Sequence, residues 1–112
     1  MDRVRSGDQF QLTASFFDQN GSPVIPLTAK YVVSLAKGGA VLRAATAIPG
    51  TLATAMSFWI NQADTAMQDT TKREEEHVVT VIATYGTDTD GNPEQKSEEY
   101  HFEVVWTPQA PN

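Results

Sequence analysis

Two histidines, fourteen Asp and Glu residues and no cysteine are the side chains from which this 112-residue chain could build a reaction centre. The missing thiol excludes a cysteine nucleophile, a thiolate zinc site and a disulfide scaffold together. No Gly-x-Ser-x-Gly elbow, no His-x-x-x-His pair and no glycine-rich loop opening a helix occurs in the sequence, so no catalytic motif is in place. His77 and His101 each fall in a predicted strand and would approach one another if those strands pair across the Gly86–Pro93 loop. A metal held there would still lack a third ligand. The segment Asp88-Thr89-Asp90-Gly91-Asn92-Pro93-Glu94 has the composition of a calcium loop, but Gly91 takes its fourth place rather than its sixth and no helix follows. The plain reading is a hairpin turn whose Asp, Asn and Gly supply the backbone angles, with calcium as the alternative. Asn20-Gly21-Ser22 matches a glycosylation sequon, but no export signal is visible and a turn is the simpler reading. The expectation is a non-enzymatic domain with no cofactor and no metal.

Recognition chemistry is better represented. Trp59 stands opposite the apolar face of its predicted strand, and Tyr85 lies at a strand end. Either ring could stack on a sugar or bury itself against a neighbouring protein, while the plain reading has Trp59 capping the domain. Charge is unevenly placed: residues 1–60 carry five basic against three acidic residues, and residues 61–112 carry three basic against eleven acidic. A solvated acidic edge explains this, and so does self-complementary docking, with Arg3 and Arg5 of one copy meeting Glu74, Glu75 and Glu76 of the next. Pro108 and Pro111 favour an extended tail that loses little entropy on docking. The net charge of −6 and pI near 4.7 argue against nucleic acid or an anionic membrane as partner. The apolar runs are too short for a membrane span or a signal peptide.

The elements that would position these residues read as strands. Phe10, Leu12, Ala14 and Phe16 alternate with Gln11, Thr13 and Ser15, a period of two, until Asp18-Gln19-Asn20-Gly21-Ser22-Pro23 stops the strand. Lys30–Ala36 and Ala40–Ala44 flank a Lys37-Gly38-Gly39 turn. Thr54–Ile60 puts Met56, Phe58 and Ile60 inward, and Asn61 is placed to cap a short helical turn over 62–68. The segment 69–76 is polar and reads as an exposed loop. His77–Tyr85, apolar at both parities, predicts a central strand, and Glu99–Trp106 aligns Tyr100, Phe102, Val104 and Trp106. Leu12, Phe16, Val33, Leu35, Phe58, Val79, Val81, Phe102 and Val104 are the predicted core. About seven short strands with one short helical turn predict an all-β, antiparallel immunoglobulin-like sandwich over residues 8–106. Residues 1–7 should form a mobile arm and residues 107–112 an extended tail.

The opening Gly7-Asp8-Gln9-Phe10-Gln11-Leu12, with Phe16-Phe17-Asp18-Gln19-Asn20-Gly21-Ser22-Pro23, resembles the start of the small immunoglobulin-like domains of tailed-bacteriophage virion proteins. Phe58-Trp59-Ile60, Ala63-Asp64-Thr65-Ala66, Val79–Tyr85, the acidic Asp-Gly hairpin and Glu99–Val104 continue the likeness, which covers residues 7–106. His77 stands where such domains often carry an aromatic residue. The resemblance implies an assembly role on a virion: a capsid decoration (cement) protein, or a neck, tail or baseplate accessory. Its partners would be the major capsid protein or neck and tail proteins, with homo-oligomers in the particle. A carbohydrate-binding module built on Trp59 or Tyr85 is the alternative from a different class.

Overall fold

The computed structural model describes residues 2–18, 20–68, 71, 73–87 and 93–105. Seven strands and one short helix follow in the order β1 (Asp2–Arg5), β2 (Phe10–Ser15), β3 (Thr28–Leu35), β4 (Val41–Ala47), β5 (Ala55–Ile60), α1 (Gln62–Thr65), β6 (Glu74–Thr87) and β7 (Pro93–Val105). They form a five-stranded sheet of order β1-β7-β6-β3-β4 and a two-stranded sheet, β2-β5. The architecture is all-β and sandwich-like. The two sheets bury their apolar parities against each other: Ala29, Tyr31, Val33, Val79, Ala83, Phe102 and Val104 from the large sheet, and Met56, Phe58 and Ile60 from the small one. Aromatic contacts bind this layer, with Phe10 edge-on to Phe102 at 5.1 Å and Tyr31 tilted on Phe58 at 4.6 Å between centroids.

Local chemistry explains the element ends. The Asp18 carboxylate accepts from the backbone N–H groups of Asn20 and Ser22 at 2.8 and 3.0 Å. With Gly21 at φ 84°, this turns the chain back so that Phe17 bridges Pro23. Asn61 caps α1 in a reciprocal box: its side chain accepts from Ala63 and Asp64 N–H, and Asp64 accepts from the Asn61 N–H.

Several expectations change. Residues 2–5 are a strand rather than a mobile arm, parallel to β7 with Asp2 opposite Phe102 and Val4 opposite Val104. Val4 packs on the core, and Ser6 is tied at both ends, its N–H donating to the Val105 carbonyl and its Oγ accepting from the Met67 N–H. A four-residue strand with one apolar side chain leaves no periodic trace, and its partner lies about a hundred residues away. Glu74–Glu76, expected in a loop, open β6, and β7 starts at Pro93 rather than at residue 99. β6 is indeed central, between β7 and β3. Of the predicted core, Phe16, Val33, Phe58, Val79, Phe102 and Val104 are buried, whereas Leu12, Leu35 and Val81 are only half-buried. Trp106, the tail with Pro108 and Pro111, and the Asp88–Asn92 part of the suggested calcium loop lie outside the described residues.

Candidate functional site

Strand parity sorts the candidate side chains. His77 pairs with Phe102 and His101 with Val78, so one imidazole points into the core and the other to the outer face of the large sheet. The approach of the two histidines that hairpin pairing would have allowed is ruled out by this register. Among the described residues no group of three His, Asp or Glu could hold a metal. Glu74, Glu75 and Glu76 divide in the same way: Glu75 faces inward with His77, and Glu74 and Glu76 face outward.

The inward set builds a polar network at one end of the sandwich. His77 is fully buried; its Nδ1 donates to the Asp64 carbonyl at 2.8 Å, and its Nε2 is hydrogen-bonded to Glu75 Oε1 at 2.7 Å. The same carboxylate oxygen accepts from the Gln68 N–H at 2.8 Å. Asp64, with a side chain 1% exposed, accepts from Arg43 Nε at 2.7 Å and from the Asn61 N–H at 3.1 Å. The bond to Asp64 raises the Arg43 pKa above its ordinary value, against a smaller opposing effect of burial. Arg43 also lies over the Tyr31 ring at 6.0 Å. Oriented His–carboxylate pairs serve general-base chemistry when a nucleophile stands beside them. Here the neighbouring hydroxyl, Thr65 Oγ1, is buried and donates to the Gln62 carbonyl at 3.3 Å. No described buried side-chain nitrogen or oxygen lacks a partner. The network closes the end of the fold with its donors and acceptors already used.

The outward set is an acidic surface with internal compensation. Glu76 and Glu103 sit directly opposite each other on β6 and β7, a like-charge pairing that opposes the hairpin. Arg3 answers it, with Nε 2.8 Å from Glu103 and Nη2 3.5 Å from Glu74. His101 lies between Glu76 and Glu99, and hydrogen bonds to both carboxylates, Glu76 first, raise its pKa. Arg3 therefore meets Glu74 within its own chain, the same charge pairing that self-complementary docking would make between copies: β1 brings the guanidinium to the hairpin as a strand neighbour. Arg5 pairs in register with Val105 at the end of the same strand. Trp59, opposite Gln11 on the outer face of the small sheet, is 53% exposed.

A second feature had no sequence signal. At the end of the sandwich away from the polar network lies an open groove of about 420 Å³. Its floor is the inward face of β6, with Val81, Ala83 and Tyr85, together with Phe58 of β5. Its walls are consecutive residues, Leu12 to Phe17 on one side and Glu98 to Tyr100 on the other. A strand seen by its face contributes every second residue; one that contributes every residue is seen by its edge. Among the described residues both strands keep an unpaired edge: β2 is bonded only to β5, with Phe16 and Phe17 beyond it bonded to Val24 and Pro23, and on β7 the side away from β6 is bonded to β1 only over residues 102–105. Lys96 closes one end, donating to the Phe17 carbonyl at 3.3 Å and lying over the Tyr85 ring at 6.0 Å. Exposed Phe17, Ile25 and Leu27 stand on the segment leading from this wall to β3. Burial, with a smaller contribution from Glu98, raises the Tyr85 pKa. At the other end Tyr100 donates to the Asp2 carboxylate, and burial first and that bond second push its pKa up to about 12.

No family model, curated protein or solved structure matches this chain.

Proposed function

We propose that the chain is a non-enzymatic assembly domain of immunoglobulin-like topology, and that it serves as a structural protein of a bacteriophage particle, a capsid decoration protein in the first instance. The observation that carries the reading is the division of its surface and core. The buried titratable residues His77 and Asp64 are consumed by structural hydrogen bonds, while large apolar residues, Phe17, Ile25, Leu27, Val41 and Trp59, are left outside. Such outward apolar residues suit contact with other proteins. The strand partition supports the topology: the third, sixth and seventh strands share one sheet with the fourth at its edge, and the second and fifth face them. This is the arrangement of strands C, F, G and C′ against B and E. The phage setting rests on the resemblance of residues 7–106 to virion domains. The test is quantitative mass spectrometry of purified particles from the source: recovery at a fixed ratio to the major capsid protein supports the role, and absence from particles refutes it. Exposed Trp59 favours one second reading, a carbohydrate-binding module. Glycan binding by the isolated chain that is lost in Trp59→Ala would put it first.

A further inference from the structure

We propose that the groove between β2 and β7 is a strand-acceptor slot, which takes an extended segment of a partner protein with apolar side chains alternating with lysine or arginine. The inference rests on the assembly reading above and names the partner chemistry of one site.

Three features specify the occupant. Among the described residues each of the two strands lining the groove has an unpaired edge, so an extended backbone laid along the groove finds N–H and C=O groups to pair with on one or both sides. That demands a strand. The lining is apolar and uneven: Val81 and Phe58 stand beside Ala83 of the floor and Ala14 of the wall, whose short side chains leave room for inserted ones. Side chains pointing down from the incoming strand, every second residue, must therefore be apolar. The intervening side chains point away from the floor, to the outer side of the β7 edge, where Glu99 stands beside His101. Glu98, on the inward parity of β7 near Tyr85, adds a second carboxylate at the groove wall, and Lys96 is set at the end against Phe17. These carboxylates select basic residues at the positions between the apolar ones. The available edge runs from Lys96, which closes one end, to His101, beyond which β1 occupies β7. Those six positions measure about 20 Å in an extended chain, so the recognised motif is six or seven residues long.

The experiment follows backbone amide resonances of the isotope-labelled full chain during titration with two synthetic peptides. One is acetyl-Lys-Val-Lys-Val-Lys-Val-Lys-amide, and the other has glutamate in place of every lysine. The expected result is that the lysine peptide shifts amides of Leu12–Ser15 and Lys96–His101 and binds about tenfold more tightly than the glutamate peptide, a difference that shrinks in high salt. Ala14→Trp, which fills the groove from its wall, should abolish the shifts. The surface variant Glu98→Lys, which leaves the core untouched, should weaken binding about fivefold and decides the matter if Ala14→Trp does not fold. Equal binding of both peptides, shifts confined to the outer face around Thr80 and Glu103, or unchanged binding by Glu98→Lys would overturn the proposal. So would a concentration-dependent dimer whose interface amides are those of the slot, because the occupant would then be a second copy of this chain. Particle recovery separates this inference from the one beneath it. A chain found on particles that gives no peptide shifts loses the slot alone, and a chain that binds the peptide but is missing from particles loses the virion role alone.

Discussion

Replacing Asp64 by alanine is the sharpest probe of the polar network that closes the sandwich. The substitution removes two bonds at once, the charge-assisted one from Arg43 Nε at 2.7 Å and the capping one from the Asn61 N–H at 3.1 Å. Removing one partner of a fully buried ion pair costs about 3–5 kcal/mol. Arg43 keeps 26% of its side chain exposed, so water takes up part of the loss and about 3 kcal/mol is the appropriate figure. Loss of the reciprocal cap adds about 0.5–1 kcal/mol. A total near 3–4 kcal/mol lowers Tm by roughly 12 °C or more in a domain of this size. Arg43→Met keeps an apolar stem over Tyr31 and should cost about 2–3 kcal/mol, because Asp64 retains only the Asn61 bond. In the double variant neither charge is left without its partner, so its cost should stay about 2 kcal/mol below the sum of the two singles. Urea denaturation of all four proteins measures the cycle, with equal m-values as the check that a two-state comparison holds. Additivity within about 0.5 kcal/mol would refute the coupling and reduce Arg43 to a surface side chain that happens to lie near Asp64.

Phe102 is fully buried between Phe10 and His77; Phe102→Ala should cost about 3–5 kcal/mol, and an unchanged melting temperature would show that the face assignment of β7 is wrong. His101 has a folded pKa above its unfolded value. Its stabilisation is therefore complete below about pH 6.5 and disappears as pH rises through the folded pKa. An NMR titration of the ring should show that midpoint moving down in Glu76→Gln, and an unmoved midpoint would disprove the pairing. Tyr100 behaves likewise at the alkaline end: the stability gained from a phenol held up to about 12 is present below pH 10 and lost above it. Asp2→Asn should bring its spectrophotometric titration toward the ordinary value. Trp59→Gln, on the outer face of the small sheet, should change stability by less than about 0.5 kcal/mol, and a larger loss in thermal unfolding would mean that the ring supports the fold.

What the sequence determined by itself is local. Alternation of apolar and polar residues over 10–16 and 54–60 specifies which face of β2 and β5 turns inward, because side chains on a strand alternate by geometry whatever lies across from them. Asp18 with Gly21, and Asn61 with Asp64, declare a turn and a helix cap, since each completes its hydrogen bonds within a few residues. Beyond the β6–β7 hairpin and the central place of β6, which strand lies beside which is settled by packing between distant parts of the chain. Arg3 and Glu74 carry no mark in the sequence of their pairing; the parallel register of β1 on β7 brings them together. Glu74, Glu75 and Glu76 read as one acidic run, yet pairing as a strand sends the middle carboxylate inward to His77 and the others out. The groove was illegible for the same reason. Leu12 and Val81 have the apolar character of core residues, and they remain half-buried because, among the described residues, β2 and β7 each leave an edge unpaired beside the groove. An open edge is a relation between strands distant along the chain, and no single residue encodes it.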